Sequence, residues 1–172
     1  MALPIAQILS GTPTWVFVLG AFLTQRGVRR LRPGVTPLAK VWLMPALFIG
    51  WGLVGLFGHG DDFAQAALSW LAGALAGGVL GVAQRLALQV DAPRRLVLQA
   101  GSIVPLVRIL AIFGAHYVLN VAAVMHPASR DVYLGWDVVV SGTSAGYFAG
   151  WAWRFWQAYR AAPRVDLGDW KA

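Results

Sequence analysis

Six polar side chains interrupt two apolar stretches in the second half of the chain: Arg108, His116 and Asn120 in one, Asp137, Ser141 and Ser144 in the other. At about 100° per residue on a helix, the first three fall within an arc of about 120° and the last three within about 60°. An ionisable group at the centre of a membrane helix costs about 2.5–3.5 kcal/mol on insertion scales, so such groups face a bundle interior or a wet cavity. An imidazole beside a carboxylate, with amide and hydroxyl groups around them, is the equipment of a proton or cation waypoint. The same set also reads as an interhelical hydrogen-bond network that serves packing alone, at about 0.6 kcal/mol per contact. Antiparallel helices with Gly101 opposite Trp156 and Met125 opposite Val132 would put Asn120 level with Asp137 and His116 level with Ser141. Arg108 then lies level with Ala149, several turns from Asp137, so no Arg108–Asp137 ion pair is expected. Lying roughly 10 Å of helix beyond Gly101, Arg108 is placed to snorkel toward the interface.

Other chemistry has thinner support. With no cysteine there is no disulfide framework, thiolate metal site, cysteine nucleophile or lipoprotein-type anchor. His59 and His126 fall near Asp61, Asp62 and Asp131, and imidazole plus carboxylate can form a zinc shell, but the spacing matches no metal motif. Neither a nucleophile elbow, a Walker loop nor a dinucleotide fingerprint is present, because the glycines sit inside apolar runs and do not follow a strand. No catalytic residue, metal or cofactor is therefore expected. The net charge of +7 raises nucleic acid as a partner. The basic residues, however, come in short clusters between apolar runs, which is how membrane topology is encoded and not how a phosphate backbone is tracked.

The elements that must hold these residues are membrane helices. Of the 172 residues 58% are hydrophobic and 12% charged, against about 25% charged in ordinary globular domains. Five stretches approach the roughly 20 apolar residues needed to cross a bilayer: about 13–31, 41–58, 63–83, 101–125 and 132–156. The expected fold is an all-α five-transmembrane-helix bundle occupying residues 1–156, with 157–172 as a cytoplasmic tail. Thr12 before Pro13 reads as the N-cap of the first helix. No basic residue precedes that first apolar run, so a cleavable signal peptide is not expected. Between the third and fourth spans, about 86–99, apolar and polar residues alternate around Asp91-Ala92-Pro93, the grammar of a short cytoplasmic β-hairpin.

Charge sets the orientation. The first connection holds Arg26, Arg29, Arg30, Arg32 and Lys40, the third Arg85, Arg94 and Arg95, and the tail Arg160, Arg164 and Lys171, while the fourth holds only Arg130. Basic residues are retained in the cytoplasm, so the amino terminus is expected outside and the carboxyl terminus inside. Trp15 and Trp136 fall near outer ends, Trp42, Trp151, Trp153 and Trp156 near inner ones, and Trp51 and Trp70 deeper, where they read as packing residues.

Two helices carry glycine at every fourth position: Gly73, Gly77 and Gly81 in the third, Gly142, Gly146 and Gly150 in the fifth. Such a stripe lets another backbone approach closely and gain van der Waals contact where lipid offers no hydrophobic drive. It serves either packing within the chain or homo-oligomer formation through the groove.

Pro13 and Trp15, Val90 and Asp91, Gly101 and Ser102, Pro105, Arg108 and Tyr117, in that order, resemble a family of small bacterial multi-pass inner-membrane proteins catalogued as a domain of unknown function. The resemblance spans nearly the whole chain, implies a bacterial inner-membrane location and lends no activity. The expected function is that of a non-enzymatic accessory or interaction protein, its partners the bilayer and another membrane protein. The alternative is a small-solute or ion transporter or channel component that uses the polar site between the fourth and fifth helices.

Overall fold

A computed structural model of the chain describes residues 11–56 and 62–168, with only the backbone described at Met44. In chain order the elements are α1 (Thr14–Arg29), β1 (Gly34–Pro37), α2 (Leu38–Leu56), α3 (Phe63–Val82), β2 (Leu88–Asp91), β3 (Leu96–Gln99), α4 (Val104–Met125), a short 3-10 turn (Pro127–Ser129) and α5 (Arg130–Ala161). Three of the helices, α2, α3 and α4, are long and apolar enough to cross a membrane. At 1.5 Å per residue α1 reaches about 24 Å and α5 about 48 Å, against a hydrocarbon core of about 30 Å. The expected fifth span of 132–156 is therefore only part of α5, which runs on to Ala161.

The glycine stripes explain where α5 sits. Every fully buried position of α3 is small: Ala66, Gly73, Gly77 and Gly81. Those glycines lie against the carbonyl oxygens of Val139, Thr143 and Tyr147 in α5, while Gly142, Gly146 and Gly150 lie against those of Trp70, Ala74 and Gly78 in α3. The pairing advances in the same direction on both helices, so α3 and α5 run parallel, and a Cβ at any of the six positions would collide with backbone. The two stripes fill each other within one chain. The rest of α3 faces outward with Leu68, Leu75 and Val79 exposed.

α5 also packs against α2 and α4, and α4 in turn holds α1. The α1–α4 contact is antiparallel: Gly20 meets the Phe113 ring, Gly27 meets Leu106, and Thr12 Oγ1 shares a 2.6 Å hydrogen bond with the Tyr117 hydroxyl. Thr12 thus does not cap the helix. Pro13 occupies the N-cap position, with no side-chain cap bond. Trp51 also departs from the expectation of packing, since it is 78% exposed on α2.

At one end of the helices lies a three-stranded antiparallel sheet in the order β1-β3-β2. The hairpin pairs Val90 with Val97 and Asp91 with Leu96. Its turn closes through the Arg94 N–H donating to Asp91 Oδ1 at 3.1 Å and the Arg95 N–H to the Ala92 carbonyl at 3.2 Å, with Arg95 at a left-handed φ of 52°. The first connection adds β1 as an edge strand, pairing Thr36 with Val97 and Pro37 with Leu96, a position that tolerates a proline without an N–H. The tail is not a free appendage. The Val90 N–H donates to the Pro163 carbonyl at 3.1 Å and the Val165 N–H to the Val90 carbonyl at 3.0 Å. Val97, Leu88 and Val41 close around Phe155 of α5, and Val97 and Phe155 are fully buried. Burying each side chain of that size stabilises by about 1.5–3 kcal/mol.

Asp91 ties the tail to the hairpin. Its buried carboxylate accepts the Leu167 N–H at 3.0 Å, the Arg94 N–H at 3.1 Å and the Arg94 guanidinium at 3.2 Å, and Arg94 also pairs with Asp166. The Leu167 amide first, then the Arg94 amide and guanidinium, hold its pKa below the usual carboxylate range. A depressed pKa means that the contribution is complete above the ordinary aspartate value of about 3.9 and is lost as pH falls through the folded value. Asp91→Asn should lower Tm and make the chain after Ala161 easier to cleave in limited proteolysis. The gap in Tm to wild type should be constant from about pH 5 upward and close in stronger acid. A gap that opens only above neutrality would contradict the assignment.

Candidate functional site

The six sequence-predicted polar residues all line one cleft of about 1920 Å³, but they do not form one cluster. Three of them meet. His116 Nδ1 lies 2.6 Å from Asp137 Oδ1, and the Asn120 side-chain amide donates to the same oxygen at 3.1 Å and to the His116 carbonyl at 2.9 Å. The contact depends on α4 and α5 running antiparallel with their polar arcs facing each other. One turn separates His116 from Asn120, so both reach a single carboxylate. Asn120 meets Asp137, with which the expected register sets it level, and His116, one turn away, reaches the same carboxylate. The His116 side chain is about one-third exposed and that of Asp137 about one-quarter, so the pair sits on the cleft wall and not in a sealed core. Which partner carries the proton follows from the imidazole tautomer. His116 Nε2 has no protein partner among the described residues.

Ser141 and Ser144 stand apart from this group. The Ser144 hydroxyl is buried and donates to the Val140 carbonyl at 2.9 Å, the back-bond a helix offers a hydroxyl when no other partner is near. Ser141 Oγ faces Gly52 of α2, beside the Trp70 indole. Arg108 lies away from Asp137, as the level argument anticipates. Its guanidinium stacks over Phe148 at 4.6 Å and Tyr147 at 5.2 Å, and its Nε is buried without a hydrogen-bond partner, as is the Tyr147 hydroxyl. It therefore packs into the α4–α5 interface and does not extend to the surface.

The cleft itself has no sequence signal. It forms because α1 packs on α4 and α2 on α5, while α1 and α2 do not pack along each other across the α4–α5 seam. Tyr147 and Phe148 line it and were missed, since an aromatic pair in an apolar helix reads as ordinary packing. Thr36 was missed too: it accepts from Arg30 Nη1 at 3.2 Å, a contact created by the unanticipated strand β1.

His59 and Asp61 lie outside the described residues. His126 Nδ1 lies 3.3 Å from the Ala122 carbonyl and its ring leans on Tyr133, which makes it a helix-end residue. Among the described residues no group of three metal-ligating side chains occurs. No family model, no curated protein and no solved structure matches the chain.

Proposed function

We propose that this chain is a five-span protein of the bacterial inner membrane, amino terminus outside and carboxyl terminus inside, that has no enzymatic activity of its own and passes a proton or small cation through a polar site between α4 and α5. The observation that carries the transport reading is the His116–Asp137–Asn120 contact on an open cleft wall. A carboxylate that already holds an imidazole can receive a proton or a small cation from the cleft, while Asn120 fixes its orientation. A proton taken at Nε2 leaves an imidazolium paired to the carboxylate at hydrogen-bonding distance, and release in the other direction restores the starting pair.

The orientation draws support from the sheet. β1, the β2–β3 hairpin and the tail gather at one end of the helices, and these are the three segments that carry the basic clusters. The parallel run of α3 and α5 and the antiparallel run of α1 and α4 agree with alternating crossings. A second reading, an accessory protein bound to another membrane protein, is favoured by the broad outward apolar face of α3. A homo-oligomer would have to use such outer faces, because each glycine groove is filled by the other.

Two measurements test the proposal. Reporters fused at Arg29 and Arg94 should read from the cytoplasm and one at Arg130 from outside, and an outside signal at Arg94 would overturn the span count. In proteoliposomes driven by an imposed membrane potential, Asp137→Asn should reduce proton or cation flux tenfold or more while eluting from a sizing column like wild type. Ser144→Ala, whose hydroxyl is satisfied within its own helix, should leave flux unchanged. Equal flux in wild type and Asp137→Asn would reduce the site to packing and favour the accessory reading.

A further inference from the structure

The end of the cleft next to the sheet has a different character from the His116–Asp137 end. Arg26, Arg30, Lys40 and Arg85 line it, with Arg108 on the α4 wall. None of these five makes an ion pair among the described residues. Among the described residues the one carboxylate on the cleft wall is Asp137, already engaged by His116 and Asn120. Arg30 has Arg26 and Arg108 as like-charged neighbours, and its side chain finds only the Thr36 hydroxyl. Arg108 Nε and the Tyr147 hydroxyl are buried with no acceptor or donor, next to each other across the guanidinium–ring stack. Arg26, Arg30, Lys40 and Arg85 are exposed and Arg108 is half-buried, so like charges gather at this end of the cleft with no carboxylate beside them to neutralise them. Such an arrangement calls for an anion rich in acceptor oxygens.

The remaining walls say what else that anion carries. Beyond the basic end the cleft is lined by apolar side chains that include Leu19, Phe22, Leu47, Phe48, Ile109 and Phe113. Its volume of about 1920 Å³ exceeds the roughly 300–1,000 Å³ of pockets for small solutes. It also lies between α1 and α2, which do not pack along each other, so an occupant can enter sideways from a bilayer. Guanidinium groups match phosphate oxygens in geometry as well as charge, and basic groups at the cytoplasmic leaflet attract acidic lipids.

We propose that this cleft holds one acidic phospholipid, its phosphate among Arg108, Arg30 and Arg26 and its acyl chains along the apolar walls of α1, α2 and α4. The site is separate from the His116–Asp137 contact, and its test does not depend on any flux.

Native mass spectrometry of the purified full chain, given phosphatidylglycerol or phosphatidylcholine of equal chain length, decides it. One phosphatidylglycerol per chain should survive detergent stripping and phosphatidylcholine should not. Arg108→Gln and Arg30→Gln should each weaken phosphatidylglycerol binding tenfold or more. Arg160→Gln, a surface change beside Trp156, should not. Retained elution volume and helical signal for each variant separate loss of the site from loss of the fold, and Arg26→Gln provides a third variant should Arg108→Gln fail to fold. Inorganic phosphate at millimolar concentration should not displace the lipid. Equal retention of both lipids, wild-type binding in the arginine variants, or full displacement by inorganic phosphate would each overturn the proposal.

Discussion

The contact on which the rest of the molecule depends is the meeting of two backbones. In lipid, apolar side chains gain nothing by leaving their surroundings for one another, so helices associate where they can approach closely and pack. Six glycines give α3 and α5 that approach, each stripe receiving the carbonyl oxygens of the other helix. Filling any one of them would push the helices apart, and overpacking of this kind costs about 1–3 kcal/mol. Because α3 uses only its small face, the opposite side of α5 stays free for α2 and α4. Phe48 of α2 stacks on Phe148 at 4.4 Å and Arg108 of α4 lies over the same ring, so one aromatic organises three helices.

A second constraint acts outside the apolar zone. The chain places its most completely buried residues, Val90, Val97 and Phe155, where sheet, tail and the end of α5 meet. Here the ordinary hydrophobic effect operates, and short strands too small to stand alone are stabilised by a helix packed on one face. The sheet ties the α1–α2 connection to the α3–α4 connection, and Asp91 ties both to the tail. That leaves α1 attached through α4 and through the sheet, but not along α2. The cleft follows from this economy of contacts, and so does the position of the arginines at its mouth.

How much was legible in the sequence follows from these two environments. The glycine period, the Asp-Ala-Pro hairpin and the facing polar arcs of α4 and α5 are local patterns, and each recurs in the structure as a contact: stripe on stripe, Val90 opposite Val97, His116 on Asp137. What escaped depended on partners distant in sequence. Gly34–Pro37 has neither the length nor the alternation of a strand and becomes one only because β3 offers an edge. The expected tail carries no pattern that shows its partners, which are Val90 and Asp91 of the hairpin. α5 runs past the expected span of 132–156 to Ala161, where packing on the sheet around Phe155 supports the helix. Helix level places Asn120 beside Asp137, but only side-chain reach brings His116, one turn from Asn120, to the same carboxylate.

The central claim is that α3 and α5 lie parallel in direct backbone contact, with α4 kept apart from α3. The absence of native cysteine allows a clean test in membranes with paired cysteines and a short bifunctional thiol reagent. Ala74→Cys together with Ala149→Cys places both thiols on the same small groove beside the seam, and an intrachain bridge should form in high yield. Leu75→Cys with Val118→Cys, on α3 and α4, should form none. Absence of the first bridge, its appearance only between chains, or efficient bridging of the second pair would contradict the account.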